Sequence, residues 1–164
     1  MAGLAKTIAL DVIAQMASQT VFLWSVPNYT AVYKRMYVDD LETMVPALAP
    51  TSVMAVVLAP IGGDTDRDGW GGDAVHCTVQ IGMLLQILVA NPENDAEMDP
   101  YEQFIDQMRL FLLSSRHFAS VWDCVSAAPV LGDHYNSHLY EKSEVHVPFL
   151  LEFQYYGSAE GAGV

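Results

Sequence analysis

"VHCTVQIGMLLQILV", residues 75–89, decides the fold. Val75, Cys77, Val79, Ile81, Met83, Leu85, Ile87 and Val89 share one side of a period-two pattern. His76, Thr78, Gln80, Gly82 and Gln86 take the other, joined by Leu84 and Leu88. Successive side chains of an extended chain point to opposite faces, so alternation over this length predicts a β-strand. At about 3.3 Å per residue the strand spans roughly 50 Å, where five or six residues is the usual length. It overruns a small core, which predicts contact with a neighbouring subunit.

Upstream, "SVMAVVLA" (52–59) is a short continuous apolar run, the pattern of a buried strand. The stretch between the two, "GGDTDRDGWGGD" (62–73), opens like a calcium loop, with Asp64, Asp66 and Asp68 at alternate positions and Gly69 next. The loop then departs from that pattern. Its twelfth position is Val75 in place of a bidentate Glu, and strands rather than helices flank it. The residues predict a solvated hairpin connection between 59 and 74, bent by glycines. Trp70 and Arg67 within it, Leu84 and Leu88 on the long strand, and Tyr156 near the C-terminus are the candidate interface residues.

On either side lie two helices and further strands. Leu4, Ile8, Val12 and Met16, with Ile13 beside them, form one stripe over residues 4–17. "DPYEQFIDQMRLFLLSSR" (99–116) predicts a second helix capped by Asp99, with Pro100 in its first turn and Tyr101, Phe104, Ile105, Met108, Phe111 and Leu112 as its apolar stripe. "TVFLW" (20–24) and "AVYKRMYV" (31–38) have strand composition, and "DDLETMV" (39–45) could form a capped helical turn. "SVWDCVSA" (120–127) and "VHVPFLLEFQYY" (145–156) read as strands, the latter at or near an edge because Pro148 cannot donate to a ladder. The expected fold is α+β: an antiparallel sheet with a long hairpin, and two helices mainly on one face. One domain covers residues 1–157, and the small-residue tail 158–164 is expected to be flexible.

Composition narrows the function classes. Of 164 residues 52% are hydrophobic and only 16% charged, below the ~25% of an average soluble domain. That surplus predicts apolar surface buried against other subunits. The apolar runs are shorter than the roughly 20 residues that span a bilayer, and the N-terminus has Asp11 in its apolar stretch and no clear cleavage site, so neither a membrane span nor a signal peptide is expected. With 7 Lys+Arg against 20 Asp+Glu the net charge is −13, which leaves no footprint for gripping phosphates. Cys77 and Cys124 sit in apolar segments and read as buried free thiols of a protein made in a reducing cytoplasm.

Chemistry-bearing motifs are sparse. His134, His138 and His146 invite a zinc site, but a pair four apart shares a face only on a helix, and "GDHYNSHLYEKSE" (132–144) is loop-like. There is no GxSxG, no phosphate-cradling glycine loop and no HExxH. No catalytic, cofactor-binding or metal residues are therefore assigned.

The succession of an N-terminal helix, "YVDDLETM", "SVMAVVLAP", a glycine- and charge-rich loop, "HCTVQIGMLLQIL", a capped helix and "HLYEKSEVHVPFLLEFQYY" resembles the tail-completion proteins of tailed bacteriophages, the tail-terminator and neck group. The likeness runs from about Leu4 to Tyr156; the family loop often carries more arginine than the single Arg67 here. The resemblance implies a non-enzymatic virion protein assembled in the host bacterial cytoplasm. It implies a ring, often a hexamer, at the head-proximal end of the tail that joins the tail tube to the capsid connector, with DNA passing through the lumen without sequence-specific binding. The rival expectations are a head-closure or neck adaptor protein of the same region, a calcium-binding module or small metal-dependent enzyme built on residues 62–73, and a cytosolic ligand-binding domain.

Overall fold

A computed structural model of the protein describes residues 3–20, 23–35, 52–67, 74–114, 122–130 and 143–158. Its elements are helix α1 (Leu4–Ser18), strands β1 (Tyr29–Tyr33), β2 (Met54–Arg67) and β3 (Ala74–Leu88), helix α2 (Asp95–Leu113), and strands β4 (Trp122–Pro129) and β5 (Glu144–Ser158). The strands form one sheet in the order β1-β2-β3-β5-β4. The fold is α+β, with α1 packed against β1, β2 and β3 and α2 against β4.

The sheet is mixed where a wholly antiparallel one was expected. β1 runs parallel to β2, with Tyr29 beside Met54 and Tyr33 beside Leu58; every other pairing is antiparallel. A hairpin cannot join parallel neighbours, and the 20 residues between β1 and β2 (34–53) provide the crossover such a pair requires. "TVFLW" does not become a strand in its described part. Residues 23–28 are irregular and tied to α2: Ser25 N–H donates to Gln107 Oε1 (2.9 Å), Ser25 Oγ to the Pro100 carbonyl (2.6 Å), and Gln107 Nε2 to the Leu23 carbonyl (2.9 Å). These contacts satisfy polar groups that a strand would have paired in a ladder.

The odd-numbered residues of 75–89 are buried as expected from Val79 onwards, but burial does not alternate, since Gly82, Leu84 and Gln86 between them are buried too. Val79, Ile81, Met83, Leu85, Ile87 and Val89 join the core beneath the helices, with Met54, Val56 and Leu58 of β2 and Val145, Phe149, Leu151, Phe153 and Tyr155 of β5. From α1 come Ile8, Val12 and Met16; from α2 come Met98, Phe104, Met108, Phe111 and Leu112. Trp24 packs into this layer against Phe104 (4.8 Å between ring centroids), Phe111 (5.9 Å) and Tyr29 (6.1 Å). Trp122 of β4 lies edge-on to Phe153 (5.1 Å) and donates its indole N–H to Asp11 Oδ2 (2.9 Å), linking the edge strand to α1.

Two local expectations are corrected. α2 begins four residues before Asp99, and its N-cap is Asn94, whose side chain accepts from Ala96 N–H while Asp95 and Glu97 occupy the first turn. Glu97 also reaches back to accept from Asn91 N–H (3.0 Å), which ties the first turn to the residues before it, and Pro100 lies inside the helix. Pro148 lies in β5, which is an interior strand. N–H and C=O of one strand residue face the same neighbour, and Val130 N–H donates to the Pro148 carbonyl (3.0 Å). The missing donor of Pro148 therefore faces the end of β4, just past its last ladder pair, Pro129 with Phe149.

Candidate functional site

The long hairpin is more extended than the sequence suggested. β2 and β3 remain paired out to Arg67 beside Val75, so the connection is residues 68–73 and not 60–73. Asp64 and Asp66 belong to the ladder, beside Thr78 and His76. An ion-wrapping loop needs its ligands on a turn that converges on one point, whereas these two aspartates sit on extended backbone. Asp68 and Trp70 lie outside the described residues. Among the described residues no group of three or more His, Cys, Asp or Glu is placed to hold a metal ion.

Beyond the helices the sheet narrows to a ribbon. β1 stops opposite Leu58, so among the described residues β2 from Pro60 onwards pairs with β3 alone. β4 begins opposite Tyr155, so among the described residues the end of β5 also pairs only with β3, as far as Ala74 beside Ser158. β3 has 15 residues, roughly 50 Å at about 3.3 Å each. A compact 164-residue domain has a radius of gyration of about 15 Å, or a diameter of roughly 40 Å. Arg67 and Tyr156 have their backbones in this ribbon.

A β-bulge shapes the ribbon's base. Pro60 stands opposite Ile81 and Gly62 opposite Gln80, with Ile61 the extra residue and 57% exposed. A bulge bends the strand and sharpens its twist.

The face of the sheet turned away from the helices is also buried at its centre. Ala55, Val57 and Ala59 of β2 and Leu84 and Gln86 of β3 are buried there, as is Glu144 at the start of β5. Glu144 Oε2 lies 3.1 Å from His146 Nε2, with the carboxylate side chain fully buried and the imidazole 12% exposed. Gln86 stands opposite His146 across the β3–β5 ladder. The pair was missed in the sequence, where Glu144 falls just outside the predicted strand and His146 invites grouping with His134 and His138. The i, i+2 spacing on an extended chain is the signal that unites them. His134 and His138 lie outside the described residues. Leu84 is buried within the chain, and Leu88 is 39% exposed.

Other apolar side chains face outwards: Leu10 on α1, Leu110 and Leu113 on α2, Val125 and Val130 at β4, and Leu23 at 91% exposure. Met16, Ala17, Leu23, Trp24, Pro27 and Tyr29 line a cavity of about 490 Å³ at that end of α1. Cys124 is buried and free, and burial pushes its thiol up to about 12; its Sγ donates to the Ser126 carbonyl (3.4 Å). A thiol so far from ionising at neutral pH is a core filler rather than a nucleophile. Cys77 has its backbone in β3.

Compared with models of known protein families the chain matches none, and no curated protein matches it. No described helix is long and apolar enough to cross a membrane.

Proposed function

We propose that the chain is a structural virion protein, one subunit of a ring at the head-proximal end of a bacteriophage tail, where it terminates the tail and joins it to the capsid connector. The observation that carries the reading is the ribbon of β2, β3 and β5, longer than a domain of this size can cover with its own helices. An arm of this kind is stabilised when a neighbouring copy packs on it. The outward Leu10, Leu23, Leu110 and Leu113 support the same reading, since burying apolar surface drives association. The resemblance in element order supplies the biological setting and the expectation of six copies. A net charge of −13 suits a lumen through which DNA slides, because a wall of like charge does not hold phosphates.

Native mass spectrometry and negative-stain electron microscopy of the purified protein test this. Closed rings of six are expected, and the rings should cap tail tubes when the two are mixed. A ring of twelve would move the protein to the neck as an adaptor. A lone 18.0 kDa species at high concentration that adds to no viral particle would end the proposal.

A further inference from the structure

Asp95, Asp99, Glu102, Asp106, Leu110 and Leu113 recur every three or four residues along α2 and are all exposed. They form one outward stripe, opposite the buried Phe104, Met108 and Phe111. Four carboxylates come first and two leucines follow. Like charges three or four apart work against a helix; the helix dipole favours Asp95 in the first turn but does not reach Glu102 and Asp106. The single basic residue of α2 is Arg109, and among the described residues none of these carboxylates forms an ion pair.

The reverse situation holds at the end of β1. Lys34 and Arg35 follow Tyr33 directly, Arg35 is exposed, and among the described residues neither is paired with an acid. In a chain with 20 acidic and only 7 basic residues, an adjacent basic pair is an uncommon feature and offers a surface complementary to an acidic one. The backbone there is fixed, since Lys34 N–H donates to the Leu58 carbonyl (2.9 Å).

We propose that the α2 stripe of one copy receives the Lys34–Arg35 corner of a second copy, with Leu110 and Leu113 as the apolar part of the contact. The inference rests on the ring reading and gives that ring an interface. The two surfaces differ, so the contact is head-to-tail, the type that closes into rings when the rotation between copies permits. Charge complementarity selects the register, and the leucines exclude water from the contact.

Two charge-reversed proteins test it: Lys34→Glu with Arg35→Glu, and Glu102→Lys with Asp106→Lys. Circular dichroism checks that each is folded, and sedimentation velocity with native mass spectrometry reads assembly. Each alone is expected to assemble at least tenfold more weakly than the unaltered protein. An equimolar mixture should recover assembly in alternating order, because each variant then finds a complementary neighbour on both sides. Leu110→Asp should also disperse the assembly. If the unaltered protein forms rings and the reversed proteins do too, the interface is wrong and the ring reading stands. If the reversed proteins are dispersed and the mixture stays so, the pairing is likewise overturned. An unaltered protein that remains monomeric removes both.

Discussion

The two faces of the sheet are built on different physical terms. Beneath the helices, the interior is hydrocarbon, sulfur and aromatic ring, from Met54 and Leu85 to Phe104 and Phe153. On the other face Ala55 and Val57 are buried beside Gln86 and Glu144, the latter in contact with His146. The first face draws its stability from filled volume, where any apolar group of the right size contributes. The second holds polar groups away from water, and those stabilise only in one hydrogen-bonded arrangement. The helix side thus supplies strength, while the far side restricts how the chain can be placed.

The sharpest test of that contrast is Phe104→Ala. Phe104 is fully buried, with the rings of Trp24 and Tyr29 at 4.8 and 5.4 Å. Its truncation is expected to cost ~3–5 kcal/mol, read as a lowered midpoint in urea. A loss below ~1 kcal/mol would mean that the helix layer is loosely packed and the contrast false.

Glu144→Gln probes the far side. It keeps the shape and exchanges a carboxyl oxygen for an amide nitrogen at a fully buried position, where a mismatched polar group costs ~1–3 kcal/mol, so a lowered urea midpoint is expected. An unchanged urea midpoint would show that the contacts of Glu144 contribute nothing and that this face behaves as ordinary surface.

A third test is pH acting on Cys124, under the helices. Burial raises its thiol from the ordinary 9.0 to about 12, so the fold favours the neutral form. The unfolded chain releases this proton first as pH rises. The stabilisation is therefore complete below about 9 and is lost between about 9 and 12. Urea midpoints measured across that window should fall less in Cys124→Ala than in the unaltered protein. Burial raises Tyr29 and Tyr101 as well, so both proteins should show some decline. Equal declines would place water beside Cys124.

What the sequence revealed follows from how local each signal was. The periods of two and 3.6 are written in successive residues, and the core of β3, the α1 stripe and the α2 stripe were all readable from them. The parallel β1–β2 pair was hidden because pairing direction is decided by a crossover, which leaves no mark on either strand. The start of α2 was misplaced because Asn94 and Asp99 are both good caps, and Glu97 reaching back to Asn91 settles the choice through a contact across six residues. The site was less legible than the fold. Glu144 and His146 read as loop and strand until the backbone put them on one face, and Leu110 and Leu113 fell outside the apolar stripe read for the helix and were given no role.

Ile61 acts on the hairpin as a frameshift acts on a message. Up to Pro60 the even-numbered positions of β2 pair with the helix-side row of β3, as Leu58 does with Met83. After the one inserted residue they pair with the other row, Gly62 with Gln80, Asp64 with Thr78 and Asp66 with His76. That row continues on β5 at Glu152 and Gln154, so the change of phase brings Gly62, Asp64 and Asp66 into register with it. Gly63, Thr65 and Arg67 then align with Val79, Cys77 and Val75, so one inserted residue decides which positions meet along the whole length of the arm.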